Sequence, residues 1–261
     1  MCIRDRLFLY GDGDWVNPIC QRTQAQVVRV GFEAANDWQV KTVQVEESGT
    51  HFSIRAAEDS WSGDYFTPLI GRHQASNAAL ALAAGASLGM DRAAMARGLA
   101  ASPQPRQRLQ WAESGGVRWL NDAYNANADS VRASLETLGA LKTAGRRFVV
   151  LGEMADLGEH SEDAHREAGE LAASVAAGLV AIGQWAEVTA ETARAAGLKR
   201  VEAVSDAQGA ANVLREWVQP KDVVLLKASR AAKLEQIMDC LLYTSDAADE
   251  GLGVDLGGRR I

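Results

Sequence analysis

From residue 117 to residue 241 short apolar runs alternate with longer segments whose apolar residues recur every three or four positions. The runs are VRWLNDAY, RRFVVLGEM, LVAIG, RVEAV and DVVLLK. The near-continuous apolar character of FVVL and VVLL is what a strand shows when both of its faces are covered. Helical stretches lie between. In the first, Val131, Leu135, Leu138 and Leu141 share a face, with Asp129 or Ser130 as the expected cap and Gly145 as the stop. An Ala-rich helix is expected from about Ser161, with Glu162 and Asp163 in its first turn, where the positive end of the helix dipole favours them. AEVTAETARAAG, DAQGAANVLREWV and a last helix from Ala231 complete the series. Such alternation requires right-handed crossovers. It predicts an α/β fold: a Rossmann-like three-layer domain with a mainly parallel sheet.

The first hundred residues follow another pattern. Val27 to Phe32, Val40 to Val45 and His51 to Ala56 are rich in Val, Ile and Phe and read as strands joined by tight connections. From Gly71 the chain turns Ala-rich and Leu-spaced, as two helices broken at Gly89–Asp91. Pro103 and Pro105 then interrupt any helix, so the expected units are 1–104 and 105–241. The stretch 242–261, LYTSDAADEGLGVDLGGRRI, has no apolar period. It and MCIRDR at the front resemble translated sequencing-adapter sequence, so 242–261 is expected to be a non-native tail and the chain a piece of a longer protein.

Bulk properties remove several classes. A formal charge of −7 with no basic block argues against a nucleic-acid or anionic-membrane partner. No apolar run reaches the roughly 18 residues of a membrane span, and MCIRDRLFLY lacks the features of a secretory signal. Cys2, Cys20 and Cys240 form neither a disulfide framework nor a metal knuckle, which suits a reducing, cytoplasmic setting.

Four constellations carry chemistry. In GRHQASN, His73, Gln74 and Asn77 share one side of a helix start, and an amide offers the donor–acceptor pair that the edge of adenine accepts. The plainer alternative is a polar first turn. LNDAYNANADS delivers Asp122, Tyr124, Asn125 and Asn127 at the carboxyl end of a strand, where ligands of open α/β sheets bind. An Asx-rich turn would look the same. VVLGEMADLGEHSEDAH joins a strand to a helix bearing His165 through an acidic loop that satisfies neither GxxxxGK[ST] nor GxGxxG. KASRAAK places Lys227, Ser229 and Arg230 between a buried strand and a helix start, a carboxylate or phosphate site or simply a solvated strand end.

Taken in order, GxHxxxN, a proline break with an Arg, D-x-YNAN-x-DS, VLGEM-x-DLG…S…H and K-x-SR resemble the Mur ligase family over about residues 7 to 240. The YNAN and K-x-SR blocks look like those of members that add D-alanyl-D-alanine to a UDP-N-acetylmuramoyl-tripeptide. Departures are Gln74 where the family usually has Asn, Ala128 for Pro, and Ala228 for Gly. Ala228 would crowd the backbone if its position required a positive φ. Arg108 matches the family arginine by its distance to the next block, with Arg106 as competitor.

The resemblance implies that 1–104 is the closing part of a central ATP-binding domain and 105–241 the carboxyl-terminal domain. It implies a monomeric ligase using ATP and Mg2+ through an acyl phosphate in peptidoglycan synthesis. His73, Gln74 and Asn77 would meet adenine, Asp122 the ribose, and Arg108 with Tyr124 or Asn125 the phosphates. Asn127, Lys227, Ser229 and Arg230 would meet substrate, the last three the dipeptide carboxylate. The phosphate loop, the metal ligands and the catalytic groups of the family fall outside these residues, so no catalytic or metal residue is assigned and the piece alone is expected to be inactive. Another Mur or folylpolyglutamate-type ligase would share the adenine and Asp blocks but not YNAN. A non-catalytic nucleotide-binding Rossmann module would need a phosphate loop where the acidic GEMADLGE stands.

Overall fold

A computed structural model describes residues 6–234 and 236–238. Of the suspected adapter stretches MCIRDR and 242–261, residues 1–5 and 242–261 lie outside the described residues, with Cys2 and Cys240, while Arg6 opens a strand paired with Gln26. The described residues divide into two compact units, the first up to 105 together with 140–142, the second holding 106–139 and those from 143 onward.

The first unit holds β1 (Arg6–Tyr10), α1 (Val16–Cys20), β2 (Gln26–Gly31), β3 (Trp38–Glu46), β4 (Gly49–Arg55), β5 (Gly63–Thr67), α2 (Arg72–Ser87) and α3 (Arg92–Ala100). Its sheet runs β1-β2-β3-β4-β5. The first three strands are parallel and the last three antiparallel. β1 and β5 were not expected from sequence, because RLFLY is short and GDYFT is broken by Gly and Asp. The small residues Ala75, Ala78, Ala79 and Ala83 bury one face of α2 with Leu82, in a core with Val30, Val40, Phe52 and Ile54. Small side chains let the helix axis approach the sheet closely. Asp91 caps α3 by accepting the Ala94 N–H at 2.8 Å.

The second unit contains β6 (Gln110–Ser114), β7 (Val117–Asp122), α4 (Ala128–Ala140), β8 (Arg147–Leu151), α5 (Ser161–Val175), β9 (Gly178–Ile182), α6 (Ala186–Ala195), β10 (Val201–Val204), α7 (Ala207–Trp217) and β11 (Val223–Lys227). The order is β10-β9-β8-β11-β7-β6. All pairings are parallel except β6–β7, a hairpin closed by Gly115 and Gly116 at φ 59 and 74. Two consecutive positive φ values are what such a two-residue turn demands, and glycine supplies them without strain. Phe148 and Val150 face a core with Ala210, Ala211 and Leu214 of α7. Val149 and Leu151, equally buried, point the other way. Helices therefore cover both faces, as the expected three-layer fold requires. Val223 to Leu226 are all fully buried, each worth about 1.5–3 kcal/mol in burial. At the expected last helix a 3-10 turn covers Arg230–Ala232, and the stretch from 239 onward lies outside the described residues.

Because β11 returns between β8 and β7, the carboxyl ends of three parallel strands meet there. The crevice beside such a reversal of strand order is where open α/β sheets bind ligands.

Candidate functional site

The parallel register sets Lys227 directly opposite Asp122. Lys227 Nζ lies 2.7 Å from Asp122 Oδ2, with side chains 3% and 12% exposed. The ammonium also donates to the Asn125 carbonyl at 2.7 Å, tying the 123–127 loop to β11. Burial pushes the Lys227 pKa down, the Asp122 charge opposes this, and Arg108 adds a further downward push. Asp122 Oδ1 accepts the Leu109 N–H at 3.2 Å, and Oδ2 also lies 2.5 Å from the Ser134 hydroxyl. A buried carboxylate needs such donors.

Lys227 was expected on the dipeptide carboxylate. In the structure its charge is buried against Asp122 and the Asn125 carbonyl. Asn127, also expected on substrate, stands at the start of α4. Its Oδ1 accepts the Ser130 N–H at 2.9 Å, while the Asn127 N–H donates to Ser130 Oγ at 3.0 Å. That is a reciprocal helix cap, and it replaces Asp129 or Ser130 as the expected cap of α4.

Tyr124 is exposed beside this pair, and two guanidiniums lie against its ring. Arg108 Cζ is 4.5 Å from the centroid and Arg230 Cζ is 5.8 Å. Arg106 and Arg108 are both exposed, and it is the Arg108 guanidinium that lies over the ring. Asn125 is exposed next to it. Ser229 is 5% exposed, and its N–H donates to the Glu153 carbonyl at 2.9 Å.

The acidic loop after β8 is held from both sides. Gly152 N–H donates to the Lys227 carbonyl at 2.8 Å. Met154 N–H donates to His165 Nε2 at 3.1 Å, and His165 Nδ1 lies 2.7 Å from the Ser161 carbonyl. An imidazole that accepts at Nε2 and donates at Nδ1 is neutral. Burial pushes the His165 pKa down, against the Ser161 hydrogen bond and the Glu153 charge. His165 holds the loop in place. The expected crowding at Ala228 does not arise, because its φ is not positive. Its methyl instead occupies the space a side chain on Gly152 would need, at 2.5 Å.

In the first unit, the opening turn of α2 carries a polar chain. His73 Nε2 lies 3.0 Å from Gln74 Nε2, and Asn77 Nδ2 donates to Gln74 Oε1 at 3.4 Å. Gly71, which begins the turn, is anchored by its N–H to Thr50 Oγ1 at 3.0 Å. The amide edges of Gln74 and Asn77 are thus aligned along one side.

The family model for the Mur ligase middle domain matches residues 4–85, and that for the Mur ligase glutamate ligase domain matches residues 107–230. The chain belongs to the Mur ligase family. Among curated Mur ligases, it is 32% identical to the UDP-N-acetylmuramoyl-tripeptide–D-alanyl-D-alanine ligase of Bacillus subtilis, over 86% of this chain and 49% of that one. It is 31% identical to the ligase of the same name from Escherichia coli, over 88% and 50%. The chain spans about half the length of the curated relatives it matches. A MurF ligase from Thermotoga maritima solved in complex with ADP superposes with a TM-score of 0.75 at 25% identity, over 94% of this chain and 55% of that one. A MurF from Acinetobacter baumannii shares the fold with a TM-score of 0.79 at 21% identity, over 93% and 52%.

Three participants escaped the sequence reading: Ser134, Gln107 and the Leu109 N–H. Only Ser134 left a signal, as a hydroxyl in the apolar stripe beside Val131, Leu135 and Leu138, where a buried polar group needs a partner. Among the described residues no helix is long and apolar enough to cross a membrane.

Proposed function

We propose that these residues form part of an ATP-dependent ligase that joins D-alanyl-D-alanine to a UDP-N-acetylmuramoyl-tripeptide in peptidoglycan synthesis. On this reading 1–104 closes the central ATP-binding domain and 105–241 is the carboxyl-terminal domain. The observation that carries it is the convergence of Arg108, Tyr124, Asp122, Lys227 and Arg230 at the ends of β7 and β11. This constellation occurs in a chain whose curated relatives bear that ligase's name.

The aligned amides at Gln74 and Asn77, beside His73, suit the donor–acceptor edge of adenine. Asp122 suits a ribose hydroxyl through Oδ1, which carries one protein donor against two on Oδ2. Arg108, on the exposed Tyr124 ring beside Asn125, suits the phosphate end. Arg230 and Ser229 suit the carboxylate of the incoming dipeptide, while Lys227 holds Asp122 and the 123–127 loop in register. In the overall reaction the tripeptide carboxylate takes the terminal phosphoryl group of ATP, releasing ADP. The dipeptide amine then attacks the acyl carbon and phosphate leaves as the amine loses its proton.

Magnesium would neutralise the phosphates. Among the described residues no group of three or more His, Cys, Asp or Glu side chains is gathered to hold a metal. No step is therefore assigned to a metal through these residues. The proposed setting is the cytoplasm, where ATP and a UDP-linked precursor occur together, and the proposed state is a monomer.

The test uses a protein of the relatives' full length carrying these residues. ADP release should require both the UDP-linked tripeptide and D-alanyl-D-alanine. Release that instead follows D-glutamate with UDP-N-acetylmuramoyl-alanine would overturn the assignment.

A further inference from the structure

Two residues with left-handed backbone flank Arg108: Gln107 at φ 56 and Leu109 at φ 49. Outside glycine this conformation sets Cβ against the following carbonyl, and it persists only where neighbouring bonds hold it. Leu109 is held by burial, 3% exposed, and by its N–H on Asp122 Oδ1. Gln107 is held at three points. Its N–H donates to Gln110 Oε1 at 3.1 Å, and its carbonyl accepts the Tyr124 N–H at 3.2 Å. Its side-chain Oε1 accepts from Arg230 Nη1 at 3.2 Å. The same residue thus grips the backbone of Tyr124 and the guanidinium of Arg230.

Two guanidiniums against one ring repel each other, so an acceptor is needed to keep the second in place. Gln107 Oε1 provides it and uses one of five donors, leaving the remaining fork for an anion. We infer that Gln107 is a positioning residue that fixes Arg230 beside Tyr124 and Arg108, so that phosphate and incoming carboxylate are held against one ring. The inference rests on the proposed function for the identity of the anions. Gln107 itself acts through Arg230.

Two variants separate its side chain from its backbone. Gln107→Gly removes the oxygen while easing the left-handed φ. Gln107→Glu keeps an acceptor and gives it charge. In the full-length ligase, Gln107→Gly should raise KM for D-alanyl-D-alanine about tenfold and leave KM for ATP and kcat within about twofold, with Gln107→Glu restoring it. An unchanged dipeptide KM, or equal losses in all three constants, would overturn the inference.

A second measurement does not depend on the reaction. Nitrogen-15 NMR of the Arg230 guanidinium in this chain should show hindered rotation in the wild type and Gln107→Glu, and faster rotation in Gln107→Gly. Equal rotation in all three overturns the inference. A wild-type enzyme with no dipeptide-dependent turnover counts instead against the proposed function, and the NMR comparison then decides on Gln107 alone.

Discussion

Replacing Lys227 by Met keeps most of the apolar stem and removes the ammonium, leaving Asp122 in place with only Leu109 N–H and Ser134 as donors. At 2.7 Å the gross attraction between the charges is about 6 kcal/mol for an effective dielectric near 20. Desolvation of both groups offsets much of it. What the variant loses is larger than the net worth of the pair, because a buried carboxylate is stranded, and removal of one partner typically costs about 3–5 kcal/mol. Two donors remain and the Asp122 side chain keeps 12% exposure, so the expected loss is about 3 kcal/mol, at the low end. The double variant Lys227→Met with Asp122→Asn removes the stranded charge and should recover at least about 1.5 kcal/mol of it. Amide exchange of Val224 to Leu226, deep in β11, reports the stability of this unit separately from the other. A loss below about 1 kcal/mol for Lys227→Met, or a double variant costing the sum of the singles, would refute a buried, coupled pair.

Gly152→Ala should destabilise the second unit by about 1–3 kcal/mol, since the new Cβ would stand 2.5 Å from the Ala228 methyl. Ala228→Gly in that background should restore most of the loss, and chemical denaturation that shows no rescue would exclude this contact as the cause. His165 makes a pH-dependent contribution with a definite sign. Its folded pKa lies below the ordinary 6.5, so the unfolded chain binds the proton first. Stability present above pH 6.5 is lost as pH falls toward the folded value, because protonation removes the acceptor for Met154 N–H. The decline precedes that of the carboxylates Asp12 and Asp222, whose pKa values lie below 3.8. Melting curves from pH 7.5 to 5 should slope downward in the wild type and flatten in His165→Asn; equal slopes would sink this reading.

Sequence alone determined the α/β fold of the second unit, because strands covered on both faces run nearly continuously apolar and helices repeat every three to four. It also marked the polar clusters at strand ends, where side chains that cannot enter the core collect. Short elements were less legible. β1 and β5 carry too few residues for a period, and β6 is a strand only because the Gly115–Gly116 turn in ESGGVRW folds it back on β7. The partners of the site residues lay beyond sequence reading altogether. Asp122 and Lys227 were assigned to different substrates because nothing local couples them. The register of β7 against β11 puts them side by side, and Lys227 reaches the Asn125 carbonyl from 102 positions away. The left-handed turn at Gln107 and Leu109 is likewise invisible in PRQRLQ, since no glycine marks it. It exists only because Asp122, Gln110, Tyr124 and Arg230 hold it. Composition and period are local properties of a chain, whereas the pairing of buried charges is set by strand order and register, which only the folded sheet decides.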